Sequence, residues 1–282
     1  MRRIIAFFIV LVTVFALASC GDSPAKTDDS TTAGPVATTK STPEATTFAP
    51  NVATQITTTA ATPTVDPKDY PEPSPESNFK FTLNDDGKSY SVEKANKYIK
   101  GDLVIPMEYN GLPVTEIKDN GFAYASYVTS IVVPPTVTKI GEKGFYTCDG
   151  AKSITIYEGI TSIGKNAFAF CEKMTELTIP SSVTEIGSCA FANCYSIKSA
   201  VVPDGFTELE YMMFYKCTSL ESVTLPATVT FIGGTFFSGC EKLTSITFKG
   251  TKAQWKAVEK DWFWNENTPD YTVLCSDGDV SK

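Results

Sequence analysis

Short runs in the second half of the chain alternate apolar and polar residues, and the runs return at one step. Ile154-Thr155-Ile156 is followed by Leu177-Thr178-Ile179, Ala200-Val201-Val202, Val223-Thr224-Leu225 and Ile246-Thr247-Phe248, each 23 residues after the last. Phenylalanine keeps that step at Phe145, Phe168, Phe191, Phe214 and Phe237. Cysteine keeps it at Cys148, Cys171, Cys194, Cys217 and Cys240. A branched apolar residue keeps it at Ile140, Ile163, Ile186, Leu209 and Ile232, and threonine at Thr138, Thr161, Thr184, Thr207 and Thr230. Registers locked to one period mean one unit stacked on copies of itself, which predicts an elongated solenoid of α/β class. Binding or spacing, rather than catalysis, is the work expected of such a stack.

Each unit can be read physically. A strand alternates faces, so its apolar residues point inward and the residues between them point out. The proline that usually follows cannot continue a ladder and turns the chain. A second short extended piece carries Val-Thr-x-Ile. Gly141, Gly164, Gly187 and Gly233 come next, where a positive φ or tight bend is expected. The Ala-Phe-x-x-Cys piece is too short for a full helix and predicts one helical or 3₁₀ turn with its Phe in the core.

The flanks read as caps, because a solenoid end exposes an apolar cross-section and unpaired strand edges. Phe79–Leu83 and Ser89–Val92 alternate around Asn84-Asp85-Asp86-Gly87, a hairpin signal. A first coil runs from Leu103 to Phe122, with Tyr109-Asn110-Gly111-Leu112 as an added loop. At the other end, Trp255, Val258 and Trp262 fall at helical spacing and Tyr271–Cys275 reads as a last strand. The organisation is therefore 1–19 signal, 20–77 stalk, 78–102 hairpin cap, 103–249 solenoid and 250–282 closing cap.

Cys217-x-x-Leu220-x-x-Val223-x-Leu225-Pro226 and Val183-Thr184-Glu185-Ile186-Gly187-x-x-Ala190-Phe191-x-x-Cys194 resemble the BspA-like leucine-rich repeats of bacterial surface proteins. The resemblance covers roughly Leu103 to Cys275. It implies a curved, right-handed solenoid with parallel strands on its concave side, and roles in adhesion, host-protein binding or aggregation between cells. Some positions depart from the pattern: Ala125 stands for Cys, Tyr157 for Pro, Ala200 for a large apolar residue, Glu210 for Gly and Met213 for Ala. Distorted packing is expected in the coil that starts at Ala200, with Tyr211 and Tyr215 exposed.

The N-terminus adds an address. Arg2 and Arg3 precede the apolar run Ile4–Ala16, which is shorter than the roughly 20 residues of a membrane span and reads as a signal peptide. Leu17-Ala18-Ser19-Cys20 resembles a bacterial lipobox, implying lipidation of Cys20, a membrane partner through that lipid and residence in the cell envelope. An ordinary secretory cleavage near Ser19 would leave Cys20 incidental. From Gly21 to Pro75 there are fourteen Thr and nine Pro with almost no bulky apolar residue. Such a stretch cannot bury enough surface to offset its ordering entropy and reads as a disordered stalk.

Composition then removes function classes. Both arginines lie in the signal, which leaves 22 Lys against 32 acids, a net charge of −10. No basic footprint for nucleic acid is present. Histidine is absent, so His metal ligands and Ser-His or Cys-His pairs are excluded. No cofactor, metal site or catalytic residue is expected. Cysteines one coil apart form a line rather than a tetrahedron, and buried apolar thiols are expected. Disulfides between coils fit the Cα range, but parallel side-chain directions oppose them. Cys189, expected to face solvent, and Cys275 are the candidate reactive thiols.

The expected binding surface is the concave face of Ser130, Val132, Ser153, Thr155, Glu176, Thr178, Ser199, Val201, Ser222, Thr224, Ser245 and Thr247. It suits a broad protein or glycan contact without a deep pocket; a solvated face chosen only for strand propensity is the alternative. Trp255, Trp262, Phe263 and Trp264 read as cap packing, with a sugar-stacking platform as the alternative. The functional expectation is an adhesin or binding module. A structural spacer and a carbohydrate-binding module remain open beside it.

Overall fold

The computed structural model describes residues 69–282. They wind into about eight turns of about 23 residues. Alternation decides each strand: Ser153–Ile156 buries Ile154 and Ile156 and leaves Ser153 exposed. Successive strands pair in parallel and in register, Ile131 against Ile154 and Val133 against Ile156, then Val223 against Ile246 and Leu225 against Phe248. A second ladder of two-residue strands buries Ile140, Ile163 and Ile186 in the same way. Among the described residues the helices are Glu76–Asn78 and Lys252–Ala257. Helix is sparse, and the fold is the expected solenoid, built almost wholly of parallel strands and turns.

The third side of each coil differs from the helical or 3₁₀ turn expected. Chained i to i+3 turns close it, as where Gly144, Tyr146 and Cys148 donate to Gly141, Lys143 and Phe145. Two residues per coil sit in the left-handed region, four apart. One series is Asn120, Lys143, Asn166, Cys189, Met212, Thr235 and Phe263; the other is Tyr124, Thr147, Phe170, Asn193, Lys216, Gly239 and Asn267 (φ 52° to 77°). Such backbone costs roughly 1–2 kcal/mol for an ordinary residue. The return is a main-chain ladder without strands. Lys143, Phe145 and Thr147 donate to Lys165, Ala167 and Ala169 of the next coil at 2.8–2.9 Å.

The recurrent glycine has a reason other than the one expected. Gly141, Gly164, Gly187 and Gly233 do not have positive φ. A Cβ at Gly164 would instead lie 2.7 Å from the Glu142 nitrogen of the preceding coil. Glycine there permits close stacking of backbone on backbone. The core follows from the same closeness. Phe122, Phe145, Phe168, Phe191, Phe214 and Phe237 are fully buried. They form one column, with centroids 5.3 Å apart at Phe145–Phe168 and 6.0 Å at Phe214–Phe237, and planes within 15°.

Both ends are covered. Phe79–Leu83 pairs antiparallel with Tyr90–Lys94, which joins Leu112–Ile117 in the second sheet. The added loop is a tight hairpin, Glu108–Tyr109 on Leu112–Ile117, turned by Asn110 and Gly111 at φ 49° and 75°. Both central residues have the positive φ that a two-residue hairpin turn requires. It presents Tyr109 to Phe81 at 4.0 Å, stacked. At the far end Thr251 and Gln254 form a capping box that starts the helix. Trp255 packs on Phe248 and Trp264, with the Lys260 ammonium 4.4 Å above its ring.

Phe191→Ala removes a ring stacked on both sides and is expected to cost about 3–5 kcal/mol, read as a lowered urea midpoint. An unchanged midpoint would place that ring outside the core. Gly164→Ala forces a methyl group against the neighbouring backbone. It should cost about 1–3 kcal/mol although its φ is ordinary, and equal melting temperatures for parent and variant would contradict close stacking.

Candidate functional site

The strand face brings most of the expected residues together. Ser130 lies beside Ser153 and Val132 beside Thr155. Ser199, Ser222 and Ser245 form one row, and Val201, Thr224 and Thr247 another. All of these are exposed or half-buried, and Val201 is the most open apolar member at 45%. Glu176 and Thr178 are exposed but stand in no strand, so the sheet is interrupted there. The face extends past the positions read from sequence. Asp102 and Val104 continue it at one end, and Thr272 and Leu274 at the other. Those four lie in or beside the caps, where the repeat pattern fades; only their alternation with buried Leu103 and Val273 marked them.

Chemically this is a flat surface of hydroxyls and small apolar groups. Its one charged feature near the first strands is Asp102, which accepts from the Ser130 hydroxyl at 2.6 Å and the Thr129 hydroxyl at 3.0 Å. Those two bonds hold its carboxyl below the usual range. A segment ahead of the hairpin closes one border. The Ser74 amide donates to the Val104 carbonyl at 3.0 Å, and the Ser74 hydroxyl accepts from the Val104 amide at 2.9 Å. The Tyr70 hydroxyl donates to the Ile105 carbonyl at 2.7 Å, and its ring lies against Tyr157. Burial, with Tyr157 nearby, pushes the Tyr70 pKa up. Tyr157 thus replaces the usual corner proline at the place where Tyr70 docks. The boundary drawn at Asn78 leaves this docked piece on the stalk side.

The cysteine ladder is a bonded one. Cys148, Cys171, Cys194, Cys217 and Cys240 each donate S–H to the Phe carbonyl 26 residues earlier, at 3.1–3.4 Å. None of the described cysteines is in a disulfide. Burial pushes Cys148, Cys194 and Cys240 up to about 12, and Cys171 and Cys217 well above the usual value. Cys189 does not face solvent as expected. It is 1% exposed, on a left-handed backbone, although it lies outside the main apolar core. Cys275 is half-buried, and burial with Asp277 and Asp279 raises its pKa.

Tyr211 is exposed as expected, while Tyr215 is half-buried. Cap packing holds for Trp255 and Trp264; Trp262 and Phe263 are 57% and 51% exposed, with one face of the Trp262 ring lying against Gly234. The helix ends at Ala257, so helical spacing does not carry Trp262 inward. Cys20 and the signal lie outside the described residues. Among the described residues no helix is long and apolar enough to cross a membrane. No group of three or more His, Cys, Asp or Glu there could hold a metal ion.

Parallel strands on one side, chained turns on another and a 23-residue step define a leucine-rich-repeat solenoid. Residues 115–244 match the BspA type leucine rich repeat region, in six copies. The structure is similar to that of a leucine-rich-repeat protein of T. pallidum, 26% identical, with a TM-score of 0.58 over 63% of this chain and 86% of that one. It is also similar to a leucine rich cell surface protein of Faecalibacterium prausnitzii, 30% identical, with a TM-score of 0.51 over 64% of this chain. The match spans 55% of that second protein's length. No curated protein sequence matches the chain.

A thiol with a raised pKa in the fold ionises first in the unfolded chain. The stabilisation is therefore present below the ordinary value near 9 and is lost as pH climbs toward about 12. Melting temperature should fall across that window, and native-state alkylation at pH 8 should modify Cys275 ahead of the five ladder thiols. A melting temperature level to pH 11, or ladder thiols labelled as fast as Cys275, would contradict the bonded ladder.

Proposed function

We propose that the protein is a lipid-anchored, surface-displayed binding module that holds a protein or glycan ligand on its strand face. The observation that carries this reading is the in-register array of small, outward hydroxyl and apolar side chains on parallel strands. Such a surface has the breadth for a flat macromolecular contact and lacks the convergent acid, base or metal groups of a catalytic site. The likeness to a leucine rich cell surface protein supports display outside the cytoplasmic membrane. Lipidation of Cys20 would hold it there, with the Thr- and Pro-rich segment as spacer. The exposed Trp262–Phe263 pair, centroids 5.7 Å apart, favours glycans as a second ligand class.

The test is binding of the intact protein to immobilised matrix proteins and glycans, beside two variants. Ser153→Glu with Thr224→Glu adds two charges to the strand face, and Trp262→Ala removes the exposed ring. Saturable binding weakened at least tenfold by the first variant alone, with all melting temperatures equal, supports the strand-face module. Loss in Trp262→Ala alone moves the contact to the cap and to glycan stacking. Parent and variants equally silent across the panel would leave a structural spacer.

A further inference from the structure

Successive coils are joined in one repeated way. Thr138, Thr161, Thr184 and Thr230 donate main-chain N–H to the carbonyl of the Thr one coil back, at 2.8–2.9 Å, and their hydroxyls donate to the same oxygens. Gly141, Gly164, Gly187 and Gly233 donate to the inward apolar residue of the preceding coil, each at 2.8 Å. The seam between the Phe191 and Phe214 coils has neither bond. Among the described residues Thr207 makes no bond to Thr184, and Glu210 none to Ile186. The second sheet stops at Glu185–Ile186 and restarts at Glu208–Leu209; the first stops one coil earlier, at Ser153–Ile156, and restarts at Ser199–Val201, so its gap takes in this seam and the one before it. On the turn side the same two coils stay joined. Cys189, Phe191 and Asn193 donate to Tyr211, Met213 and Tyr215 at 2.9, 3.1 and 2.7 Å, and the Phe191 and Phe214 rings remain stacked.

Three residues account for the opening. Glu210 carries a Cβ at the position where one on Gly187 or Gly233 would lie 2.6–2.7 Å from the backbone of the coil before, and its carboxylate, held off the main chain, accepts from the Ser188 hydroxyl across the seam at 2.9 Å. Glu208 repeats the position of Glu185 one coil earlier, which sets like charges across the seam. The equivalent step elsewhere pairs Glu116 with Lys139 at 2.7 Å. Ala200 gives the Leu177 position less apolar surface to close upon than Val223 or Ile246 would, and Leu177 is left only partly buried.

We propose that this seam is a hinge: the solenoid bends about its bonded turn side by opening and closing the two strand sides between the Phe191 and Phe214 coils. The strand face then consists of two plates, 101–156 and 199–281, whose mutual angle varies. This holds whatever ligand the face takes.

Residue-resolved amide exchange on the intact protein tests it. Lys198, Thr207 and Glu210 should exchange at least 100-fold faster than Glu221, Thr230 and Gly233 one coil on. Cys189, Phe191 and Asn193 should stay as protected as Lys143, Phe145 and Thr147. Glu210→Gly removes the wedge, and Glu208→Lys restores opposite charges. Each should slow exchange at Thr207 at least tenfold. Protection of Thr207 equal to that of Thr230 in the parent would show a closed seam and overturn the proposal. Loss of protection on the turn side as well would mean separation rather than bending. Indifference to both substitutions would mean a fixed gap and not a hinge.

Discussion

The spacing between main chains in successive coils governs this molecule. Hydrogen bonds on three sides, lost on the two strand sides at the Phe191–Phe214 seam, draw successive coils to within strand distance, roughly 4.8 Å. Every side chain that repeats must then fit a stack of that pitch. Phe rings meet that demand by lying near-parallel in one column, and small thiols by donating to the carbonyl beneath them. Glycine meets it by having no Cβ where backbone approaches backbone. The left-handed residues serve the same end, because they aim N–H and C=O groups along the stack where strands are absent.

Periodicity made the architecture readable from residues. A position that recurs every 23 residues has one environment, so inward Phe145 to Phe237 and Ile140 to Ile232 could be placed without coordinates. Recurrence does not report backbone dihedrals, and that is where the reading failed. A helical turn and a chain of left-handed turns both bring Phe and Cys inward, and the period alone did not report that Cys189 would be buried. Asn at 120, 166, 193 and 267, with Gly239, was the available sign, since Asn and Gly tolerate positive φ best. The glycine after the second strand was identified correctly and explained wrongly, because close approach and positive φ select the same residue.

The strand face was legible to the extent that alternation was. Ten of its twelve residues stand in paired strands, and Glu176 and Thr178 do not, because pairing depends on both neighbouring coils and not on their own pattern. Asp102, Val104, Thr272 and Leu274 escaped notice because they belong to the ends. Tyr70 could not be placed at all: its partners Ile105 and Tyr157 are distant in sequence, and only the odd residue at a proline corner hinted at a visitor.

Five buried S–H donors, rather than covalent cross-links, tie one coil to the next along the thiol column. Small extracellular domains are often stapled by disulfides, which must be formed and correctly paired as the chain matures. This stack needs no oxidant to form its native contacts, but a bridge made before the coils close would remove the S–H donors it uses. With thiolate formation suppressed by burial, exchange chemistry has little to act on once the coils close. The native contacts are those of reduced thiols, so the order of events matters: the coils must close before the thiols are oxidised.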